Sequence, residues 1–203
     1  LKPYLPSFNK EVKLEKHKII INYNKKKIDI NGNGNILLKE KSDNLSYQII
    51  KDKKNILFDF QINFKNNSFL LDFLDYKKEE GLDSLISIKG SLNNNNQLNL
   101  DLINLKENNN EISIKNLELS ESFKVIDIKS FNINYENNNK IFNNLQLKKK
   151  NSNFIIEGEN FDASKIIDNF MDNEEKNLSI FDNLNSMINI KIDKTYIDKT
   201  NYI

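Results

Sequence analysis

Apolar and polar residues alternate along nearly the whole chain, and one short helix-like segment interrupts the pattern. Period two is plain in Ile28-Asp29-Ile30, Phe58-Asp59-Phe60-Gln61-Ile62, Ile86-Ser87-Ile88 and Leu98-Asn99-Leu100-Asp101-Leu102. It returns in Ile112-Ser113-Ile114 and Ile188-Asn189-Ile190-Lys191-Ile192. Successive side chains of a strand point to opposite faces, so each run makes one apolar face and one wet face. A series of such strands is a sheet with an apolar side.

The pattern predicts strands over about 11–23, 26–40, 44–51, 55–64 and 68–76. The polar separators Asn24-Lys25, Lys41-Ser42-Asp43, Asp52-Lys53-Lys54 and Lys65-Asn66-Asn67 are short turns that join antiparallel neighbours. Lys77 to Asp83 is a longer break with room for a helical turn. Further strands are predicted over 84–92, 97–106, 111–120, 123–136, 140–149, 153–159 and 186–197. Asn93–Asn96, Asn108–Asn110 and Asn137–Asn139 are expected hairpin tips, because Asn tolerates the left-handed conformation.

The apolar register slips twice. Ile112 and Ile114 give way to Leu117 and Leu119, and Ile126 and Ile128 to Phe131, Ile133 and Tyr135. A one-residue slip turns the apolar set to the other face unless a bulge absorbs it. Bulges are therefore predicted near Asn116 and Ser130, where they would bend the sheet. One helix is predicted, over about 162–172. Asp162 is its expected N-cap, Phe161 and Ile166 occupy staple positions, and Ile166, Ile167, Phe170 and Met171 share a face. A second short turn is expected at Ile180 to Leu184.

Composition narrows the chemistry. The 203 residues carry 30 basic and 29 acidic side chains, so net charge does not mark a nucleic-acid binder. Every basic residue is Lys, and the bidentate guanidinium that reads phosphates and bases is absent. Lys, Asn and Ile dominate and Ala occurs once, at Ala163. That bias is read as a genome of low GC content. Without Cys there is no disulfide, thiol nucleophile or thiolate metal site. The single histidine, His17, allows no multi-His metal site and is expected to be exposed in a Lys-rich strand. No stretch approaches the roughly 18 apolar residues of a membrane-spanning helix. The start, Leu1-Lys2-Pro3-Tyr4-Leu5-Pro6, is read as neither a signal peptide nor a translation start. The chain is expected to be one β segment, 1–203, internal to a longer protein.

One motif looks like a metal site. Asp29-Ile30-Asn31-Gly32-Asn33-Gly34, with Glu40, fits the calcium-loop pattern D-x-N-x-N-G-x5-E. A calcium loop of this type needs a helix on each side, and both flanks alternate with period two. The strand reading puts Ile28, Ile30, Gly32, Gly34, Ile36 and Leu38 on one face, where glycines allow a close backbone approach. The acidic pairs Asp72 with Asp75 and Glu79 with Glu80 are read as solvated faces. So is Lys148-Lys149-Lys150, for which anionic headgroups are the alternative partner. No catalytic residues and no cofactor are expected.

Residues 154–197 carry a recognisable pattern. Phe154 to Asp162 is a strand whose Gly158 precedes Phe161 and Asp162; then come Ala163-Ser164-Lys165-Ile166-Ile167, a polar gap, and the strand Ile188 to Asp193. This resembles the AsmA-like proteins of Gram-negative bacteria, in particular the YhdP-like and TamB-like branch, most closely over about 84–203. The resemblance implies a protein held in the inner membrane by an N-terminal helix and crossing the periplasm as a long curved β groove. It implies that the groove's apolar interior carries phospholipid acyl chains towards the outer membrane. Gly158, Phe161, Asp162, Ile166 and Ile167 match as a structural motif, with no catalytic role.

The fold expected is thus mainly β: a curved, largely antiparallel sheet forming an elongated groove, with one short helix. The expected lining is Ile28, Ile30, Ile36, Phe58, Phe60, Ile62, Ile86 and Ile88 from the first half of the chain. From the second half it is Leu98, Leu100, Leu102, Ile112, Ile114, Ile188, Ile190 and Ile192. These residues would shield acyl chains at about 0.8 kcal/mol per methylene. The rival reading is a structural or adhesin-like β-sandwich in which the same side chains fill a closed core. A transmembrane barrel fits less well, for want of aromatic girdles. A calorimetric titration with calcium is expected to show no binding; micromolar binding lost in Asp29→Ala would overturn the strand reading of that motif.

Overall fold

The alternating runs form one sheet. The computed structural model describes residues 13–38, 40–171 and 186–203. In chain order the strands are β1 (Lys13–Asn24), β2 (Lys27–Leu38), β3 (Lys41–Lys51), β4 (Asn55–Phe64), β5 (Phe69–Leu71) and β6 (Tyr76–Lys78). They continue as β7 (Ser84–Asn93), β8 (Leu98–Glu107), β9 (Asn110–Leu119), β10 (Val125–Glu136), β11 (Phe142–Lys150), β12 (Asn153–Asp162) and β13 (Ile188–Tyr196). One helix, α1 (Ser164–Met171), follows β12. Eleven strands lie side by side in sequence order, and only β5 and β6 stand apart as a small hairpin. The sheet does not close into a barrel.

Neighbours pair antiparallel except β12 and β13, which run parallel. A two-residue turn cannot make a parallel pair, and the segment that includes α1 supplies the crossover. The helix, predicted over 162–172, begins at Ser164. Asp162 ends β12, and its carboxylate accepts the Ser164 amide at 3.0 Å, while Ala163 carries the carbonyl that accepts from Ile167 at 2.8 Å. The expected turn at Ile180 to Leu184 lies outside the described residues. Asn96 and Asn108 take the left-handed conformation expected of hairpin tips, but after Asn137–Asn139 that role falls to Lys140.

The register slips are resolved together. Asp101, Asn116 and Lys129 stand level on β8, β9 and β10, and all three drop out of the ladder. The three strands therefore keep their mutual register across these positions, and the shifts lie beside them, at Lys89 and Gly90 between β7 and β8 and between Val125 and Asp127 in the β9–β10 pair. Asn116 is left-handed, as a predicted bulge requires, and Ser130 itself stays paired with Lys115. This crease keeps Leu100, Leu117 and Ile128 on the same face as Ile103, Ile114 and Phe131. A Cβ on Gly90 would meet the Leu100 Cα at 3.1 Å and the Phe58 ring at 2.9 Å, so only glycine fits there.

The segment predicted as one strand over 68–76 is instead β5, a 3₁₀ turn (Asp72–Leu74) and β6. Left-handed Asp75 ends the turn, and the break at 77–83 holds no helix. This 65–83 insertion folds over the apolar face at one end of the strands. Phe69, Leu74 and Tyr76 pack into a core with Leu45 of β3, Leu105 of β8, Ile133 and Tyr135 of β10, and Leu145 of β11. One small hairpin reaches strands on both halves because the sheet curves around it. Gly90→Val is expected to cost about 1–3 kcal/mol by overpacking the crease, read as a fall in the denaturant midpoint.

Candidate functional site

The apolar face is the candidate site. Cross-strand partners share a face, so the register traces rows across the sheet. One row runs from Ile19 through Gly32, Tyr47, Phe60, Ile88 and Ile103 to Ile114, Phe131, Leu147, Ile156 and Ile190. It crosses all eleven strands without a charge. A second row, nearer the insertion, contains Ile62, Ile86, Leu105, Ile112, Leu145, Gly158 and Ile192. A third, further away, contains Ile30, Ile49, Phe58, Gly90, Leu100, Leu117 and Ile128.

Cover is uneven along and across these rows. Ile133, beneath the insertion, is 2% exposed, whereas Ile190 on the edge strand is 66% exposed. Tyr47, Phe60 and Phe131, at mid-row, are half-buried. The described residues place no second sheet over the face. Its cover is the β5–β6 hairpin and α1, which lies beside the 3₁₀ turn.

The residues expected to line the surface lie on it with one exception. Ile28, Ile30, Ile36, Phe58, Phe60, Ile62, Ile86, Ile88, Leu98, Leu100, Ile112, Ile114, Ile188, Ile190 and Ile192 share the face. Leu102 does not: it pairs with Lys89 and Lys115 on the polar face, because the crease at Asp101 reverses the alternation. Ile103 and Leu105 take the positions that an unbroken run would have given to Leu102 and its successors. The adjacent apolar pair Leu102-Ile103 was the available signal.

Other additions come from strands whose alternation is less regular: Tyr47 and Ile49 of β3, Leu145 and Leu147 of β11, and Ile19 and Ile21 of β1. His17 also departs from expectation. Left-handed Lys16 and His17 together face the β2 segment around Gly34 in a bulge between Glu15 and Lys18. The bulge turns the imidazole inward, where it lies over Gly34 and stacks on Tyr47 at 5.6 Å. Both ring nitrogens are buried and make no hydrogen bond. Gly32 leaves room for the Tyr47 ring in the same way. The two glycines of the calcium-like motif thus admit rings to the apolar face. Asp29 accepts hydrogen bonds from Asn31 at 3.0 Å and Gln48 at 3.1 Å, and the remainder of β2 after Asp29, about 30 Å, lies between it and Glu40.

Among the motif residues, Gly158 sits opposite Leu145, and a Cβ there would meet the Leu145 Cα at 3.1 Å. Phe161 packs on the core beneath the insertion. Asp162 is buried and accepts from Asn137 at 2.7 Å. Ile166 is half-buried and Ile167 exposed.

Polar groups fix the insertion in place. Buried Asp43 of β3 accepts the amides of Lys65, Asn66 and Asn67 at 2.8, 2.8 and 3.1 Å. The Lys78 ammonium is fully buried and donates to the carbonyls of Lys65 at 3.0 Å and Asn67 at 2.9 Å. Burial draws its pKa down, against the pull of Asp43 and Glu107. The Tyr76 hydroxyl donates to Glu107 at 2.9 Å, and Tyr135 donates to the Leu74 carbonyl at 2.6 Å. The two tyrosine rings meet edge to face at 5.5 Å. Among the described residues no cluster of three His, Cys, Asp or Glu could hold a metal, and no helix is long and apolar enough to cross a membrane. No family model, curated protein or solved structure matches the chain.

Burial, aided by Glu107, raises the Tyr76 pKa above its ordinary value; burial, aided by Asp162 and Asp75, does the same at Tyr135. Above about pH 10 the folded state therefore holds protons that the unfolded chain has released. The stability is present in full below that pH and falls as pH rises further. Denaturant midpoints measured across this range are expected to drop, and to drop less steeply in Tyr76→Phe. At neutral pH the same variant should lose about 1–3 kcal/mol, because Glu107 is left buried without its donor.

Proposed function

We propose that this chain is a non-enzymatic segment that shields phospholipid acyl chains from water. The observation that carries the reading is the uninterrupted apolar row from Ile19 to Ile190, on a face that the described residues cover only at one end of the strands. A sheet with one apolar face must bury it against something, and in the described residues only the hairpin and α1 do so. Acyl chains match what is left: an extended surface without charge, wide enough for several chains and without directional contacts. Headgroups would remain at the wet rim, and no bond is made or broken.

The resemblance of residues 154–197 to AsmA-like proteins leads to the finer proposal. In it the chain is an internal part of a periplasmic protein, anchored in the inner membrane, that passes phospholipid towards the outer membrane. A photoreactive residue at Phe60, midway along the row, is expected to crosslink to phospholipid in protein purified from a cell envelope, and native mass spectrometry should show the adduct. Labelling confined to protein, with no lipid mass bound, would overturn the proposal in favour of a face that is covered by protein.

A further inference from the structure

The near-zero net charge conceals a separation of charge between the two ends of the sheet. The insertion sets Asp72, Asp75, Glu79, Glu80 and Asp83 against Lys65, Lys77 and Lys78, and so brings a net negative charge to the covered end. The turns at the opposite end are rich in lysine. The β1–β2 turn brings Lys25, Lys26 and Lys27; the β3–β4 turn brings Lys51, Lys53 and Lys54; the end of β11 brings Lys148, Lys149 and Lys150. All of these are exposed, and only Lys149 forms an ion pair among the described residues, with Asp127 at 2.6 Å. Asp52 lies between the lysines of its turn, with one carboxylate oxygen already accepting the amides of Lys54 and Asn55. Ion pairs such as Lys65–Asp83, Lys77–Glu79 and Lys140–Glu136 lie at the covered end.

Apolar side chains stand among these lysines. Tyr23 is 75% exposed at the end of β1, Phe123 57% exposed in the β9–β10 turn, and Met187 64% exposed just before β13. Phe123 is held at φ +60°, a conformation that a bulky residue rarely adopts, with its amide bonded to Ser120 at 2.9 Å. A lysine-rich rim with projecting apolar side chains suits one kind of surface. Lysines attract anionic headgroups over a Debye length, and apolar tips enter the boundary below them. We propose that this uncovered end docks on a bilayer surface containing anionic phospholipid, so that the apolar face opens towards the membrane. The proposal rests on the lipid-shielding reading and adds the end at which lipid meets the protein.

Flotation with vesicles tests it. The chain is expected to float with phosphatidylglycerol–phosphatidylcholine vesicles, not with phosphatidylcholine alone, and less as salt rises. Removing one lysine charge should weaken binding about fivefold, so Lys26→Gln, Lys53→Gln and Lys150→Gln combined should weaken it about a hundredfold. Phe123→Asn, which suits the left-handed turn, should also weaken flotation with thermal stability kept. The combined control Lys65→Gln, Lys77→Gln and Lys140→Gln at the covered end should float like the parent. No flotation of the parent chain, equal loss in the control, or sedimentation showing that the rim lysines hold copies together head to tail would each overturn docking. Lipid crosslinking at Phe60 reads the shielding surface separately, so either proposal can fail while the other stands.

Discussion

The structure depends on keeping the parity of its side chains. In a sheet of this width each strand is tied to its neighbours by backbone hydrogen bonds, and each residue's face follows from its place in the ladder. One extra residue in one strand would turn the remainder of that strand inside out. Here the extra residues Asp101, Asn116 and Lys129 fall level on three adjacent strands, so the apolar face passes through the irregularity intact. Gly90 sits where the crease meets the regular part of the sheet, close against the Leu100 backbone. The irregularity is thus shared, and sharing it keeps a continuous apolar surface on a bent sheet.

The covered end shows what burial demands where side chains do pack to the interior. The ionisable groups buried around the insertion have partners: Asp43 with backbone amides, Lys78 with carbonyls, Tyr76 with Glu107, Tyr135 with the Leu74 carbonyl. These bonds set the hairpin's position as the aromatic contacts between Tyr76, Phe69 and Tyr135 fill the space beneath it. Elsewhere the face lacks such fixed partners and consists mostly of Ile, Leu and Phe, with His17 stacked on Tyr47. Satisfied polar anchoring at one end and bare aliphatic surface beyond it are different kinds of interior.

Much of this was legible in the sequence because alternation is local. The strands β4, β7, β8 and β9 fall within a residue or two of where Ile, Leu and Phe repeat at period two. Hidden features were those decided between strands. Leu102 belongs by pattern with Leu98 and Leu100, and only its pairing with Lys89 and Lys115 reveals the reversal. His17 reads as one more polar residue on β1 until the bulge at Lys16 turns it onto Tyr47. The segment 68–76 has the composition of a strand, yet the left-handed Asp75 and the tertiary pull of Tyr135 on the Leu74 carbonyl fold it into a hairpin. The ends differ in charge because successive turns alternate between them, which a linear count of Lys and Asp averages away.

The parallel pairing of β12 and β13 gives the sheet a direction. β13 reaches the covered end, where Asp198 gathers the amides of Thr200 and Asn201 into a tight turn. Thr195 and Ile203 then exchange backbone hydrogen bonds at 3.0 Å each, and Ile197 bonds to Asn201 at 3.0 Å. The chain has therefore reversed and begun to pair along the outer side of β13. At the other edge, β1 is broken by the left-handed Lys16 and fringed with lysines, which blunts it as a template. The two margins are thus unequal: one is a hem puckered at Lys16, and the other is a margin on which the weave has turned back.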